Sequence, residues 1–176
     1  MSMIFLRARD NRKKGQLLVE LLVALSILTT GFLGVLGLLS QSLGLNRVVS
    51  ENYTGTYLAS EGIEIARNIV DKNVLLRGAG TPVVWYDGLS PGRYEVDYEN
   101  TSTLPLSVPR PLLFDATSHT YSYAAGQPTK FTRVIEIRLV GNPEIHEVVV
   151  SSTVEWQSRG GSFKTTLEDH FFDWRN

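Results

Sequence analysis

Glu20 is the residue whose type and position most need a chemical explanation. It lies in the stretch KKGQLLVELLVALSIL, residues 13–28, and no other charged residue follows it before Arg47. An ionised side chain at the centre of a membrane helix costs on the order of 3 kcal/mol, and such residues usually have a function. A carboxylate in this position therefore calls for a cationic partner.

The apolar segment around Glu20 is long enough to cross a membrane. It runs from Leu17 to Leu39, and as a helix rising about 1.5 Å per residue it exceeds the roughly 30 Å hydrocarbon core. Five basic residues precede it: Arg7, Arg9, Arg12, Lys13 and Lys14. Because basic residues mark the cytoplasmic side of a span, we predict that the bulk of the chain lies outside the cytoplasm.

Helical periodicity continues beyond the apolar segment. From Leu45 onwards, apolar residues recur every three or four positions with charged residues between them, and no proline interrupts this region. We predict one helix from about Gln16 to about Lys72. Its outer half is amphipathic, and Gly55 and Gly62 are expected to be weak points.

The segment GAGTP, residues 78–82, is expected to end any helix, and the periodicity then changes to two. RYEVDYE predicts a half-buried strand in which Tyr94, Val96 and Tyr98 share one face. TSTLPLSVPRP, residues 101–111, is predicted to be a surface loop because its three prolines exclude a central strand.

Three further alternating segments predict an antiparallel meander: KFTRVIEIRLV, HEVVVSSTVEW and SFKTTLE. In the final segment, HFFDWRN, we expect Phe171, Phe172 and Trp174 to close over the sheet. The predicted fold class is α+β, with a long N-terminal α-helix, transmembrane in its inner half, packed on a C-terminal antiparallel β-sheet.

The N-terminal motif resembles the processing and methylation motif of type IV pilins and type II secretion pseudopilins. It has a basic leader, then Gly15, then Glu20 as the fifth residue after that glycine, at the start of an uninterrupted apolar helix. YLASEGIEIARNIVD, residues 57–71, and the C-terminal meander are similar to the corresponding parts of PilV-type minor pilins. The resemblance implies a pilin-like fold.

The resemblance also implies roles for three N-terminal residues. A prepilin peptidase would cut the Gly15–Gln16 bond at the cytoplasmic face, and the new amine of Gln16 would be N-methylated. The cationic amine and Glu20 would then pair at the apolar boundary, in the family between neighbouring subunits, because pairing offsets the cost of desolvation. The alternative for Glu20 is an acid that snorkels near a helix end.

Three glycines in the span, Gly31, Gly34 and Gly37, are predicted to allow close helix packing or local softening. The alternative is that they are simply tolerated there. In the resembling filaments, part of this helix loses hydrogen bonds on assembly, and these glycines are where we expect that loss.

The resemblance divides the chain into a cleaved leader, a transmembrane half-helix, an amphipathic half-helix and an extracytoplasmic sheet domain. These parts are residues 1–15, 16–46, 47–72 and 73–176. The implied partners are other pilins or pseudopilins, the prepilin peptidase, the inner-membrane assembly platform and lipid. The implied location is the inner membrane before assembly, and then a surface pilus or periplasmic pseudopilus.

We predict neither catalysis nor a cofactor. The sequence has no cysteine, so thiol chemistry, disulfides and iron–sulfur clusters are excluded. Glu95, Asp97 and Glu99 could attract a cation, although a solvated polar strand face is the commoner meaning of this pattern. Three histidines lie far apart and outside any paired-ligand spacing: His119, His146 and His170. The acidic excess after the leader argues against nucleic-acid binding.

Two other functions remain open. One is a secreted binding domain with a cleaved signal peptide, for which Ser40 and Ser42 form a weak small-x-small site. The other is a single-pass protein that keeps its leader, with a binding or enzymatic domain outside the membrane.

Mass spectrometry of the mature N-terminus separates these three functions. We expect a chain that begins at N-methylated Gln16, because the motif around Gly15 and Glu20 matches a processing site. A chain that begins near Leu43 would indicate a signal peptide, and an intact Met1 would indicate a retained anchor.

Overall fold

The computed structural model describes the backbone of residues 4–96, 104–105, 108–158 and 161–173. Side chains are described over the same ranges except 4–14 and 104–105. Over these described residues the architecture is α+β, with one long N-terminal helix and a seven-stranded antiparallel sheet.

The chain forms two compact units, Met1–Val48 and Val49–Asn176. Helix α1, Ile4–Gly78, supplies the described part of the first unit and the first element of the second. In the first unit, every side chain described from Gly15 to Arg47 is exposed. In the second unit, the helix packs on the sheet and shares two apolar clusters with it.

The helix is longer than the sequence predicts. The predicted start at Gln16 is wrong, because the helix already begins at Ile4. The predicted end at Lys72 is also early, since the helix continues to Gly78. The segment 78–82 does end it, as expected.

The C-terminal end of α1 has the two hydrogen bonds of a Schellman motif. The Thr81 amide donates to the Leu76 carbonyl at 3.0 Å, and the Gly80 amide donates to the Arg77 carbonyl at 3.0 Å. Gly80 has a φ of 88°, a left-handed conformation that glycine adopts at little cost. Gly80 is therefore the residue that stops the helix.

Strand β5 is the centre of the sheet. Strand β6 pairs with it along one edge and β7 pairs with β6, so the predicted meander is confirmed. Along the other edge, β3 pairs with the N-terminal half of β5 and β1 with its C-terminal half, while β4 and β2 lie outside them. The strands are β1 Gly92–Glu95, β2 Leu104–Pro105, β3 Pro111–Asp115, β4 Thr120–Ser122, β5 Gln127–Val140, β6 Glu147–Ser158 and β7 Gly161–Phe172.

The segment 101–111 is not entirely a loop, contrary to the prediction. Pro105 lies in the two-residue edge strand β2, and Pro111 is the first residue of β3. Both are positions at which a strand tolerates the missing amide of proline. The prolines therefore limit these strands to an edge and a start without abolishing them.

The two described C-terminal aromatic residues, Phe171 and Phe172, do not form a lid over the sheet. Phe171 and Phe172 are the last residues of β7, with Phe171 buried in the core and Phe172 52% exposed on the opposite face. Trp174 lies outside the described residues, as does Tyr98 of the predicted strand. Because successive side chains of a strand alternate between the two faces of the sheet, the two phenylalanine side chains lie on opposite faces.

Two apolar clusters hold α1 against the inner face of the sheet. The larger cluster includes Ile63, Ala66, Ile69, Ile135, Ile137, Val148, Val150 and Phe171. The smaller one consists of Leu58, Ala59, Leu112, Phe131, Val154 and Trp156. The burial of Phe131, Ile135 and Ile137 confirms the predicted apolar face of β5.

Gly55 and Gly62 are points of close packing, and the helix runs through both without interruption. A Cβ atom at Gly55 would lie 2.6 Å from the Trp156 ring, and one at Gly62 would lie 2.5 Å from Ile135 Cδ1 and 2.6 Å from Ser152 Oγ. The expectation that they are weak points is wrong. Glycine fits there because a side chain would collide with the sheet unless the contacted side chains or the helix shifted.

We predict that Gly55→Ala destabilises the protein by roughly 1–3 kcal/mol, because the Trp156 ring is buried and cannot move aside freely. The control is Gly78→Ala in the same helix, where nothing lies within 4 Å of the new Cβ. It should leave stability unchanged or raise it slightly. Urea unfolding of the full chain in detergent, followed by tryptophan fluorescence, measures both; equal effects would contradict the packing argument.

Candidate functional site

The six residues predicted to act in processing and assembly all lie on α1, within the first unit: Gly15, Gln16, Glu20, Gly31, Gly34 and Gly37. This part of α1 contains a segment long and apolar enough to cross a membrane. All six residues are exposed. We call residues 17–45 the stem.

Gln16 and Glu20 are brought together by the helix. They are four residues apart, so they lie on one face at a separation of about 6 Å. The Gly15–Gln16 bond lies within continuous helix. A peptidase that binds an extended backbone would therefore have to unwind the helix here, and Gly15, without a Cβ, favours that step.

The stem glycines face open space. Apart from the neighbouring backbone of the helix itself, no atom of the described residues lies within 4 Å of a Cβ built at Gly31, Gly34 or Gly37. The helix is also continuous across all three. The softening on assembly expected for these glycines stays a prediction.

Three hydroxyl groups in the stem are bonded to the helix itself. Ser26 donates to the Leu22 carbonyl at 2.7 Å, and Thr29 and Thr30 donate to the Ser26 carbonyl at 3.0 and 2.8 Å. A hydroxyl bonded in this way costs little in an apolar environment. Glu20 is then the stem's one charged side chain.

Arg133 is a buried cation that sequence reasoning missed. Its side chain is 0% exposed and lies on the inner face of β5, between the two apolar clusters. Nη1 of the guanidinium group donates to the Leu58 carbonyl of α1 at 2.9 Å, and Nη2 donates to the Val96 carbonyl after β1 at 2.8 Å, while the buried Nε has no hydrogen-bond partner among the described residues. Glu61 of α1 forms an ion pair with it at 3.2 Å.

The backbone carbonyl of Arg133 also accepts a hydrogen bond from the segment after β4. The Tyr123 hydroxyl donates to the Arg133 backbone carbonyl at 3.1 Å, and burial raises the pKa of Tyr123 to about 12. The signal that could have identified Arg133 is its place in the alternation Phe131, Arg133, Ile135, which puts it on the apolar face. Through its guanidinium group, Arg133 of β5 is thus hydrogen-bonded both to the helix and to the residue after β1.

Glu95 is buried and paired, so it does not belong to a solvated polar face. Its carboxylate accepts from the Arg110 backbone amide at 3.1 Å and from the Arg110 side chain at 2.9 and 2.5 Å. These hydrogen bonds raise the pKa of Arg110. Asp97 and Glu99, which were predicted to share the face of Glu95, lie outside the described residues.

The three histidines lie at separate places in the second unit. His170 contacts Glu147 and lies 3.4 Å from Glu168, and the hydrogen bond to Glu147 raises the pKa of His170. His119 packs edge-on against Phe114. Among the described residues, no group of three or more His, Cys, Asp or Glu side chains is placed to hold a metal ion.

Comparison with known proteins gives no match among family models, curated proteins or solved structures.

Loss of the Arg133 side chain should destabilise the fold strongly. We expect Arg133→Met to cost roughly 3–5 kcal/mol, because Glu61 and two buried carbonyl groups lose their shared donor. Arg138→Met is the control, since Arg138 lies on the same strand but is 55% exposed. Its loss should cost at most about 1 kcal/mol. Urea unfolding of both variants tests this, and a small effect at Arg133 would show that water or another group replaces the guanidinium.

Proposed function

We propose that this protein is a minor pilin or pseudopilin, a structural subunit that primes or caps a type IV pilus-like filament. The proposal includes cleavage of the Gly15–Gln16 bond by a prepilin peptidase and N-methylation of Gln16. Motility, adhesion, DNA uptake and type II secretion are the processes that such a filament serves. No catalytic step is assigned to the chain.

The observation that carries the proposal is the stem with its lone carboxylate. All side chains of the stem are exposed, and most of them are apolar. The stem is also long enough to span a membrane. Such a surface needs lipid or other apolar helices around it. A subunit that moves from a membrane into a helical bundle has lipid around this surface first and other apolar helices afterwards.

The pairing of Glu20 explains why one acid is kept in this surface. Cleavage before Gln16 creates an ammonium group one helical turn away from Glu20. Within one subunit the two charges can neutralise each other, and between subunits they can set the axial register. An unpaired carboxylate in the bundle would cost several kcal/mol, so correct register is favoured over slipped register.

A single-pass anchor that keeps its leader is the second candidate. The observation in its favour is the unbroken helix across Gly15 and Gln16, which offers a peptidase no preformed extended segment. In that case the second unit would act as a binding domain outside the membrane. A mature chain that still begins at Met1 would be its signature.

Replacement of Glu20 tests the proposed role directly. We expect Glu20→Ala and Glu20→Leu to insert in the membrane normally but to fall at least about tenfold in filament incorporation, because the partner ammonium loses its counter-charge. Incorporation is measured by immunoblotting of sheared filaments against the membrane fraction. Glu144→Ala is the control, since Glu144 is an exposed carboxylate in the loop between β5 and β6. Normal incorporation of the Glu20 variants would remove this role.

A further inference from the structure

His170 lies between two carboxylates on the outer face of the sheet, the face opposite α1. Its ring nitrogen Nδ1 contacts Glu147, the first residue of β6, and Nε2 lies 3.4 Å from Oε1 of Glu168, two residues earlier on β7. Side chains two residues apart on a strand share a face, and diagonal neighbours on paired strands are within reach of each other. We call these three residues the histidine latch.

The placement of the two carboxylates favours a protonated ring. A neutral imidazole has one N–H group and can donate to one carboxylate, whereas an imidazolium can donate to both at once. Here Nδ1 and Nε2 face different carboxylates, and the side chain of Glu147 is only 18% exposed, so water reaches little of it. In agreement with this geometry, the hydrogen bond to Glu147 raises the pKa of His170.

Glu168 is held in its ionised form. The Ser151 hydroxyl of β6 donates to it at 2.5 Å, and a guanidinium nitrogen of Arg138 on β5 lies 3.4 Å from it. The hydrogen bond from Ser151 is the main reason that the pKa of Glu168 lies below its ordinary value. Glu168 therefore keeps its negative charge throughout the pH range in which a histidine ring titrates.

The ion pairs on the helix side of β7 are different, because they do not involve a histidine. Arg67 binds Asp169 at 2.8 Å, and Arg77 binds Asp173 at 2.7 and 2.6 Å. Arginine and aspartate ordinarily keep their charges between about pH 5 and pH 9. Among the described ionic contacts at this end of β7, His170 is therefore the group whose charge changes near neutral pH.

We propose that His170 fastens the C-terminal end of β7 to the start of β6 as a pH-dependent latch, closed while its ring is protonated and open when the ring is neutral. The stabilisation is fully present below about pH 6.5, the ordinary pKa of histidine, and it is lost as the pH rises through the higher pKa of the folded state. The ion pairs with α1 persist, so the opening is confined to the connection between the two strands.

Titration of His170 tests the contacts of the latch. The full chain in detergent, with labelled histidine rings, is followed by NMR, and His170→Gln assigns the signal. Glu147→Gln should weaken proton binding at His170 at least about threefold, because it removes a negative charge with little change of shape. The control is Glu144→Gln, at an exposed carboxylate in the loop before β6, and it should leave the titration unchanged. A merely structural role of Glu147 would not move the titration.

Hydrogen exchange of the full chain, measured by mass spectrometry, tests the opening. Between about pH 6 and pH 9, after correction for the intrinsic pH dependence of exchange, the protection of residues 167–172 should fall at least about threefold more in the unsubstituted chain than in His170→Gln. The control is His146→Gln, which removes an exposed histidine from the loop before β6 and should behave like the unsubstituted chain.

Either of two results would overturn the latch. One is a His170 ring that binds its proton equally well with and without the Glu147 carboxylate. The other is protection of β7 that changes equally with pH in the unsubstituted chain and in His170→Gln. Neither measurement depends on cleavage of the Gly15–Gln16 bond or on filament assembly, so the latch and the proposed function stand or fall separately.

Discussion

Burial of Arg133 constrains how the second unit is put together. A guanidinium group taken out of water needs acceptors for its donors, and two of the three nitrogens of Arg133 find them on α1 and just after β1. Both carbonyl groups can accept from the guanidinium group only if α1 lies at one particular axial position on the sheet. The contacts of Gly55 with Trp156 and of Gly62 with Ser152 require the same crossing, since each admits no side chain. A polar requirement and a steric one therefore select a single register for helix on sheet.

Sequence periodicity was sufficient for the elements whose side chains alternate cleanly. The meander of β5, β6 and β7 could be predicted because, along most of each strand, every second residue is less exposed than its neighbours. The outer half of α1 could be predicted from its spacing of three and four. The end of the helix at residues 78–82 followed from glycine chemistry, with Gly80 supplying the left-handed residue. These features depend on local residue types, which is why one sequence contains enough information to find them.

Features that depend on distant partners could not be predicted in this way. Glu95 reads as a solvated acid until Arg110, fifteen residues later, is placed beside it. The glycines at 55 and 62 read as weak points in a helix until a sheet is packed against them. Pro105 excludes a central strand, but the sequence does not show that an edge position is available at β2. In each case the local sequence is compatible with two structural roles, and the residues packed against it in the fold determine which one it has.

The two halves of α1 solve the same problem of apolar exposure by different means. Residues 58–70 cover their apolar side with a sheet from their own chain, so this half gains its stability on folding. The stem has no such cover in the described structure, and its stability depends on its surroundings. Under the proposed function, cleavage before Gln16 changes what those surroundings can be, because the new ammonium group gives Glu20 a partner in an apolar bundle. A covalent step at the membrane surface would thereby control whether the stem is more stable in lipid or among other stems.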